Sequence, residues 1–309
     1  MRRLVVCCIL TLTLACRNEP RSQTAFDGQA ALGYARTQLQ FGPRVPGTEG
    51  HRRTGEWIVA EMRKRADTVL VQEWTHVTVR GDSLPMRNVI ARFRPGESAR
   101  VLYVTHWDTR PRSDEAADSA QRQLPVPGAN DGASGVALFL AIGDVLKKTP
   151  PQFGVDLLFV DGEDYGDFGK DEDVLIGSKY FADHLPAPGY RPIFGVLWDM
   201  IGDRDLQIFQ EGNSVQAAPE VVLRVWRQAE DMGYSQYFVP EVGYTLIDDH
   251  MPLIAKGLRV IDVIDYNYPN AATAQGRGGY HHTSQDTMDK ISSASLQIVG
   301  DVALGLVLP

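Results

Sequence analysis

The stretch Val155-Asp156-Leu157-Leu158-Phe159-Val160-Asp161-Gly162-Glu163-Asp164-Tyr165-Gly166-Asp167-Phe168-Gly169 sets the reading of the chain around it. It begins as an apolar run over 155–160 and breaks straight into Asp161-Gly162-Glu163-Asp164. An apolar run of this length reads as a strand buried on both faces, as in the parallel sheet of an α/β protein. In such sheets the ligand site lies at the carboxyl ends of the strands. Two adjacent carboxylates placed there call for a cation or a reaction, whereas a solvated acidic turn is the plainer alternative.

Other segments end in the same manner. A strand over 100–105 runs into His106-Trp107-Asp108-Thr109, and one over 194–197 ends in Trp198-Asp199. Residues 258–264 form the last core strand, 206–209 a short one, and 69–79 with 88–93 a hairpin around Gly81-Asp82-Ser83. Apolar residues at helical spacing predict helices over 26–39, 54–65, 136–146, 175–184, 218–232 and 291–308. Strands alternating with helices imply a three-layer α/β/α sandwich around a mixed, mostly parallel sheet. Two polar segments, 110–127 and 266–279, read as loops, and a loop as long as the first usually carries function.

Of the 309 residues 43% are hydrophobic and 23% charged, an ordinary globular composition that accommodates one large α/β domain over 26–309. The net charge of −8 argues against a nucleic-acid partner. The first 16 residues read as a signal peptide, with Arg2-Arg3 ahead of an apolar core over 4–14. Its end, Thr13-Leu14-Ala15-Cys16, resembles a bacterial lipobox, so an exported, lipid-anchored protein of the cell envelope is expected, with 17–25 as a tether. All three cysteines (Cys7, Cys8, Cys16) lie in this segment, which leaves the domain without disulfide, thiolate ligand or cysteine nucleophile.

Five strand ends or loop starts carry groups able to hold a metal: His106, Asp131, Glu163-Asp164, Asp199 and His282. Asp131 on its own could be only a helix N-cap. Imidazole and carboxylate without sulfur suit an open, catalytic zinc site. Asp108, two residues after His106, and Asp286, four after His282, are each able to receive the other imidazole N–H. Glu163, next to Asp164, is the natural general acid/base.

His106-x-Asp108, Gly128-Ala129-Asn130-Asp131-Gly132-Ala133-Ser134-Gly135, Glu163-Asp164-Tyr165-Gly166, Asp199 and His282-Thr283-x-x-Asp286-Thr287 resemble, in order, the motifs of the zinc-dependent exopeptidase superfamily. That group holds aminopeptidases and glutaminyl-peptide cyclotransferases, which act on the N-termini of peptides and proteins. The aminopeptidase resemblance implies two zinc ions, with His106 and Asp199 on one, Asp164 and His282 on the other, and Asp131 bridging. The cyclase resemblance implies one zinc on Asp131, Asp164 and His282, while Asp199 joins Glu163 and Asp248 in a hydrogen-bonded acidic network. Asp248-Asp249-His250-Met251-Pro252 is similar to a cyclase stretch. His281 departs from that pattern, because cyclases usually place Trp before the metal-binding His. His281 and Trp107 are expected to line the substrate pocket.

Overall fold

The computed structural model describes residues 24–266 and 279–309. The segment read as a leader, most of that read as a tether, and all but the ends of the 266–279 loop lie outside the described residues. The strands are β1 (Thr68–Val77), β2 (Ser83–Phe93), β3 (Arg100–His106), β4 (Gly154–Val160), β5 (Phe194–Asp199), β6 (Ile208–Gln210), β7 (Phe238–Val242) and β8 (Val260–Ile264). Six of them form one sheet in the order β1-β2-β4-β3-β5-β8. β4, β3, β5 and β8 run parallel, and the β1–β2 hairpin joins antiparallel through β2. The sheet is therefore mixed and mostly parallel, as the alternation of strands and helices implies.

Because side chains alternate along a strand, each central strand feeds two cores. Tyr103, Leu157, Phe159, Val196 and Trp198 face one core, which also takes the apolar stripes of α1 (Gly28–Leu39), α2 (Glu49–Arg63) and α3 (Ala133–Leu146). Leu102, Val104, Leu158, Val160 and Leu197 face the other, against Phe181 of α4 (Ile176–Asp183). α5 (Gly212–Ala217) is short, and α6 (Pro219–Asp231) buries Val222, Val225 and Trp226 in the first core. α7 (His250–Ala255) adds Leu253 to the second core, and α8 (Ser293–Gly305) closes the first with Leu296, Val299 and Val302. Each of the large side chains buried this way contributes about 1.5–3 kcal/mol.

Differences from the sequence reading are local. α2 begins five residues before 54, because the Thr48 side chain caps it by accepting the N–H of His51. α5 and β7 escape the periodicity rules: α5 is only six residues long, and β7 carries Pro240 and pairs with β6 in a separate two-stranded sheet. Thr24, placed in the tether from sequence, is anchored to α8, its N–H and hydroxyl both donating to Asp301 Oδ1 at 3.0 and 2.6 Å. Among the described residues, no helix is long and apolar enough to cross a membrane.

Candidate active site

Parallel strands deliver their carboxyl ends to one edge, and the candidate ligands gather there. His106 is the last residue of β3, Asp199 the last of β5, and Glu163 and Asp164 follow β4 by three and four residues. Asp131 precedes α3, whose N-cap position is taken by Gly132 at φ +89°, so the Asp131 side chain does not cap the helix. It faces two imidazoles instead, with Oδ1 3.1 Å from His106 Nε2 and Oδ2 3.5 Å from His282 Nε2. A Cβ on residue 132 would lie 2.6 Å from the Asp108 carbonyl, which excludes side chains at that turn. His106 Nε2 also lies 3.0 Å from Asp199 Oδ1, and His282 Nε2 3.3 Å from Asp164 Oδ1. Two ligand triads result, His106/Asp131/Asp199 and Asp131/Asp164/His282, each with its ligand atoms within 4.8 Å of one another. His282 (φ 49°) and Met200 (φ 50°) adopt left-handed backbone, a strain that concentrates where geometry is dictated by function.

Residues 88–307 match the sequence profile of Peptidase family M28. The chain belongs to that family. Among solved M28-like structures, the Tannerella forsythia glutaminyl cyclase is 36% identical, with a TM-score of 0.87 over 92% of this chain and 99% of that one. Aminopeptidase YwaD of Bacillus subtilis is 27% identical over 67% of this chain. A probable zinc metalloprotease of Leptosphaeria maculans is 33% identical over 37% of this chain. The chain spans under half the length of these curated relatives, 40% of the first and 28% of the second.

The M28 donor set fits a zinc ion on physical grounds. Asp164 Oδ2 is buried and has no hydrogen-bond partner, so it is an acceptor awaiting a cation. Burial, together with the positive charges of His281 and Arg110, keeps His282 well below its ordinary pKa, which leaves a neutral imidazole with a lone pair to give. Burial would raise Asp131, but hydrogen bonding to His106 and the charge of His106 hold it well below the carboxylate range. Burial and the neighbouring Asp164 charge push Glu163 well above its usual value, as a proton-carrying group requires. Burial and Asp199 raise Asp248 to about 6.

A cleft of about 500 Å³ opens over these groups. Glu163, Asp199, Asp248, His281 and His282 line it, with Tyr244 and Tyr266 on the aromatic side. Trp107 is a correction: it is 1% exposed, stacked on His51 at 4.4 Å, and lines no part of the cleft. The even step along the chain from His106 to Asp108 leaves Trp107 on the opposite side, in the core. Asp286 is a second correction. It accepts the N–H groups of Asn130 and Asp131 at 2.8 and 3.0 Å, and so holds the backbone of Asp131 rather than the ring of His282. Asp108 Oδ1 lies 3.5 Å from His106 Nδ1 without a hydrogen bond between them, and Asp108 instead accepts the N–H groups of Glu163 and Asp164.

Three charged residues of the site were not evident in the sequence. Arg110 donates to Asp164 Oδ1 at 2.8 Å. Glu115 lies 3.1 Å from His281 Nδ1. Arg44, fully buried, donates to the carbonyls of Pro127 and Gly128 at 2.6 Å and of Asp131 at 3.3 Å. None falls in a periodic segment; only the length of the 110–127 loop signals the first two.

Proposed function

We propose that the chain is a glutaminyl-peptide cyclotransferase, converting the N-terminal Gln of a peptide or protein to pyroglutamate with release of ammonia. The observation that carries this reading is that Asp248 reaches the same cleft as Glu163 and Asp199, beside Asp131 and His282. That third acid suits a proton shuttle held among carboxylates, whereas in an aminopeptidase an acid in the cleft would instead anchor the substrate's free α-amine. The likeness to the Tannerella forsythia glutaminyl cyclase along nearly the full length of both chains supports it.

Asp131, Asp164 and His282 would hold one zinc ion, which supplies Lewis-acid polarisation of the γ-carboxamide carbonyl. The nucleophile is the substrate's own α-amine, tethered to that carbonyl, so proximity is built into the substrate. Glu163 accepts a proton as the α-nitrogen bonds to the carboxamide carbon, and returns it to the nitrogen that leaves as ammonia. Burial and the Asp164 charge keep the proton affinity of Glu163 high, the charge of Asp248 adds to them, and Asp199 lines the same cleft.

A second reading is a two-zinc aminopeptidase, favoured by the His106/Asp131/Asp199 triad. Mass spectrometry of a Gln-initiated and a Leu-initiated peptide incubated with the zinc-loaded protein separates the two. Loss of one ammonia from the Gln peptide is expected, reduced about 10²–10⁴-fold by Glu163→Gln. Release of free Leu without ammonia loss would overturn the cyclase reading. We also propose export and lipid anchoring at Cys16, supported by the basic start and apolar core ahead of it. Loss of lipid labelling in Cys16→Ala is the check.

A further inference from the structure

We propose that the substrate chain, beyond its first residue, runs on into a second groove beside the catalytic cleft, where Arg80 and Arg112 take up its acceptor oxygens and favour a carboxylate side chain. This rests on peptide N-termini as substrates, which the cyclase and aminopeptidase readings share.

The groove has a volume of about 350 Å³ and shares Arg110, Asp114 and Asp167 with the cleft as a common wall. One side of it comes from residues 78–82, at the turn from β1 to β2. Another comes from residues 165–173, the segment that directly follows Glu163 and Asp164. The groove is therefore the next space along for a chain whose first residue is held in the cleft. Its walls are tied to one another. Asp173 Oδ1 lies 2.8 Å from His76 Nε2, and its Oδ2 accepts the N–H of Val79 at 3.1 Å. Asp167 and Glu172 exchange backbone hydrogen bonds at 2.8 and 3.2 Å. A groove fixed in this way exists before the substrate arrives, which lowers the ordering cost of binding.

Some of the charges in the groove already have partners. Arg110 donates to Asp114 and Asp164 at 2.8 Å, and Lys170 lies 3.1 Å from Asp167. Arg80 and Arg112 are exposed, and neither side chain makes a hydrogen bond or ion pair among the described residues. A guanidinium offers five N–H donors and no acceptor, so oxygen is what completes it. An extended peptide presents a main-chain carbonyl at every residue. A Glu or Asp side chain adds the stronger, charge-assisted contact. Asp82 and Glu172 line the same groove with no side-chain partner among the described residues, so the groove as a whole is not basic. An acid should accordingly be favoured at one place along the chain, where the two arginines reach it, rather than throughout.

The test takes the zinc-loaded full chain, Arg80→Ala, Arg112→Ala and the double variant. The substrates are Gln-initiated pentapeptide amides with a single Glu at each later position in turn, alanine elsewhere, and the dipeptide Gln-Ala-amide. The parent's KM should be lower for the pentapeptides than for the dipeptide, and lowest, by about 3-fold, with Glu at one position. That preference should shrink in each single variant, vanish in the double variant and weaken in added salt, with kcat nearly unchanged. A parent KM indifferent to where Glu stands overturns the proposal, as does a preference that survives in the double variant. Fluorescence anisotropy of the same pentapeptides, labelled at their C-termini, reads the preference without turnover. If no peptide is cyclised or cleaved, the assigned activity falls, and the binding measurement still decides the arginines: loss of the preference in the double variant upholds their role, and its retention overturns it.

Discussion

Asp108 shows how much a single carboxylate can organise. Its Oδ1 accepts the N–H of Glu163 at 3.0 Å, its Oδ2 that of Asp164 at 3.2 Å, and Oδ1 also faces His106 Nδ1. It therefore sets the path of the chain through both the proton-carrying residue and a metal ligand. Asp108→Asn turns an NH₂ group against one of those N–H donors. We expect kcat/KM to fall about 10–100-fold and zinc to be held correspondingly less tightly, measured by steady-state kinetics and metal analysis of the same preparation. The ligands themselves were legible in the sequence because each sits at a break between an apolar run and a polar turn, where a lone His or Asp stands out. Arg44, Arg110 and Glu115 were not, because a charged residue in a polar loop reads as solvated. Arg44 is wholly buried and Arg110 nearly so only because segments some 50–90 positions away fold over them.

Strand β4 carries the clearest lesson about elements. Its apolar run reads correctly as a doubly buried strand, and its break correctly as the start of the site, yet that reading passes over Asp156 in the middle. The Asp156 side chain is fully buried and accepts from Arg100 Nε at 2.9 Å, Arg92 Nε at 3.0 Å and the Tyr190 hydroxyl at 2.8 Å. Pattern alone does not reveal it, since the arginines that compensate it come from β2 and β3. Removing it leaves the buried Arg100 guanidinium without its counter-charge. Asp156→Ala should therefore cost about 3–5 kcal/mol, seen as a lower urea midpoint at unchanged slope, while zinc retention by the folded fraction stays as before. Helix starts were harder to place than strands for a related reason. The first turn of α2 is polar, and the cap at Thr48 that begins it depends on one side-chain oxygen rather than on an apolar stripe.

At the scale of the molecule, a parallel sheet that gathers carboxylates at one edge acquires a pH dependence with two opposing limbs. Burial and the charge of Asp248 push Asp249 and Asp262 well above the ordinary value of 3.8. A carboxyl raised on folding binds its proton more tightly in the native state, so it penalises the fold above its native pKa, and the penalty fades as pH falls through that value. Glu211 has the opposite sign. Burial would raise it, but bonding to His250 and donation from the N–H groups of Leu246 and Asn213 and from Ser214 lower it to about 2. Its contribution is complete above the ordinary value of 4.5 and is lost as pH falls toward about 2. It matters beyond α5, because Glu211 ties the helix it caps to the segment that carries Asp248. Thermal melts should therefore show the midpoint rising as pH is lowered from about 8 to about 5, then falling steeply below about 4. Asp262→Asn should flatten the upper limb, stabilising at about pH 8 and changing little at about pH 5, whereas Glu211→Gln should lower the midpoint at neutral pH and converge with the parent near pH 2. A parent midpoint that climbs steadily from acid to neutral pH would mean that the raised carboxylates do not govern the upper limb. Glu211 and the ordinary acid limb would then account for the whole profile.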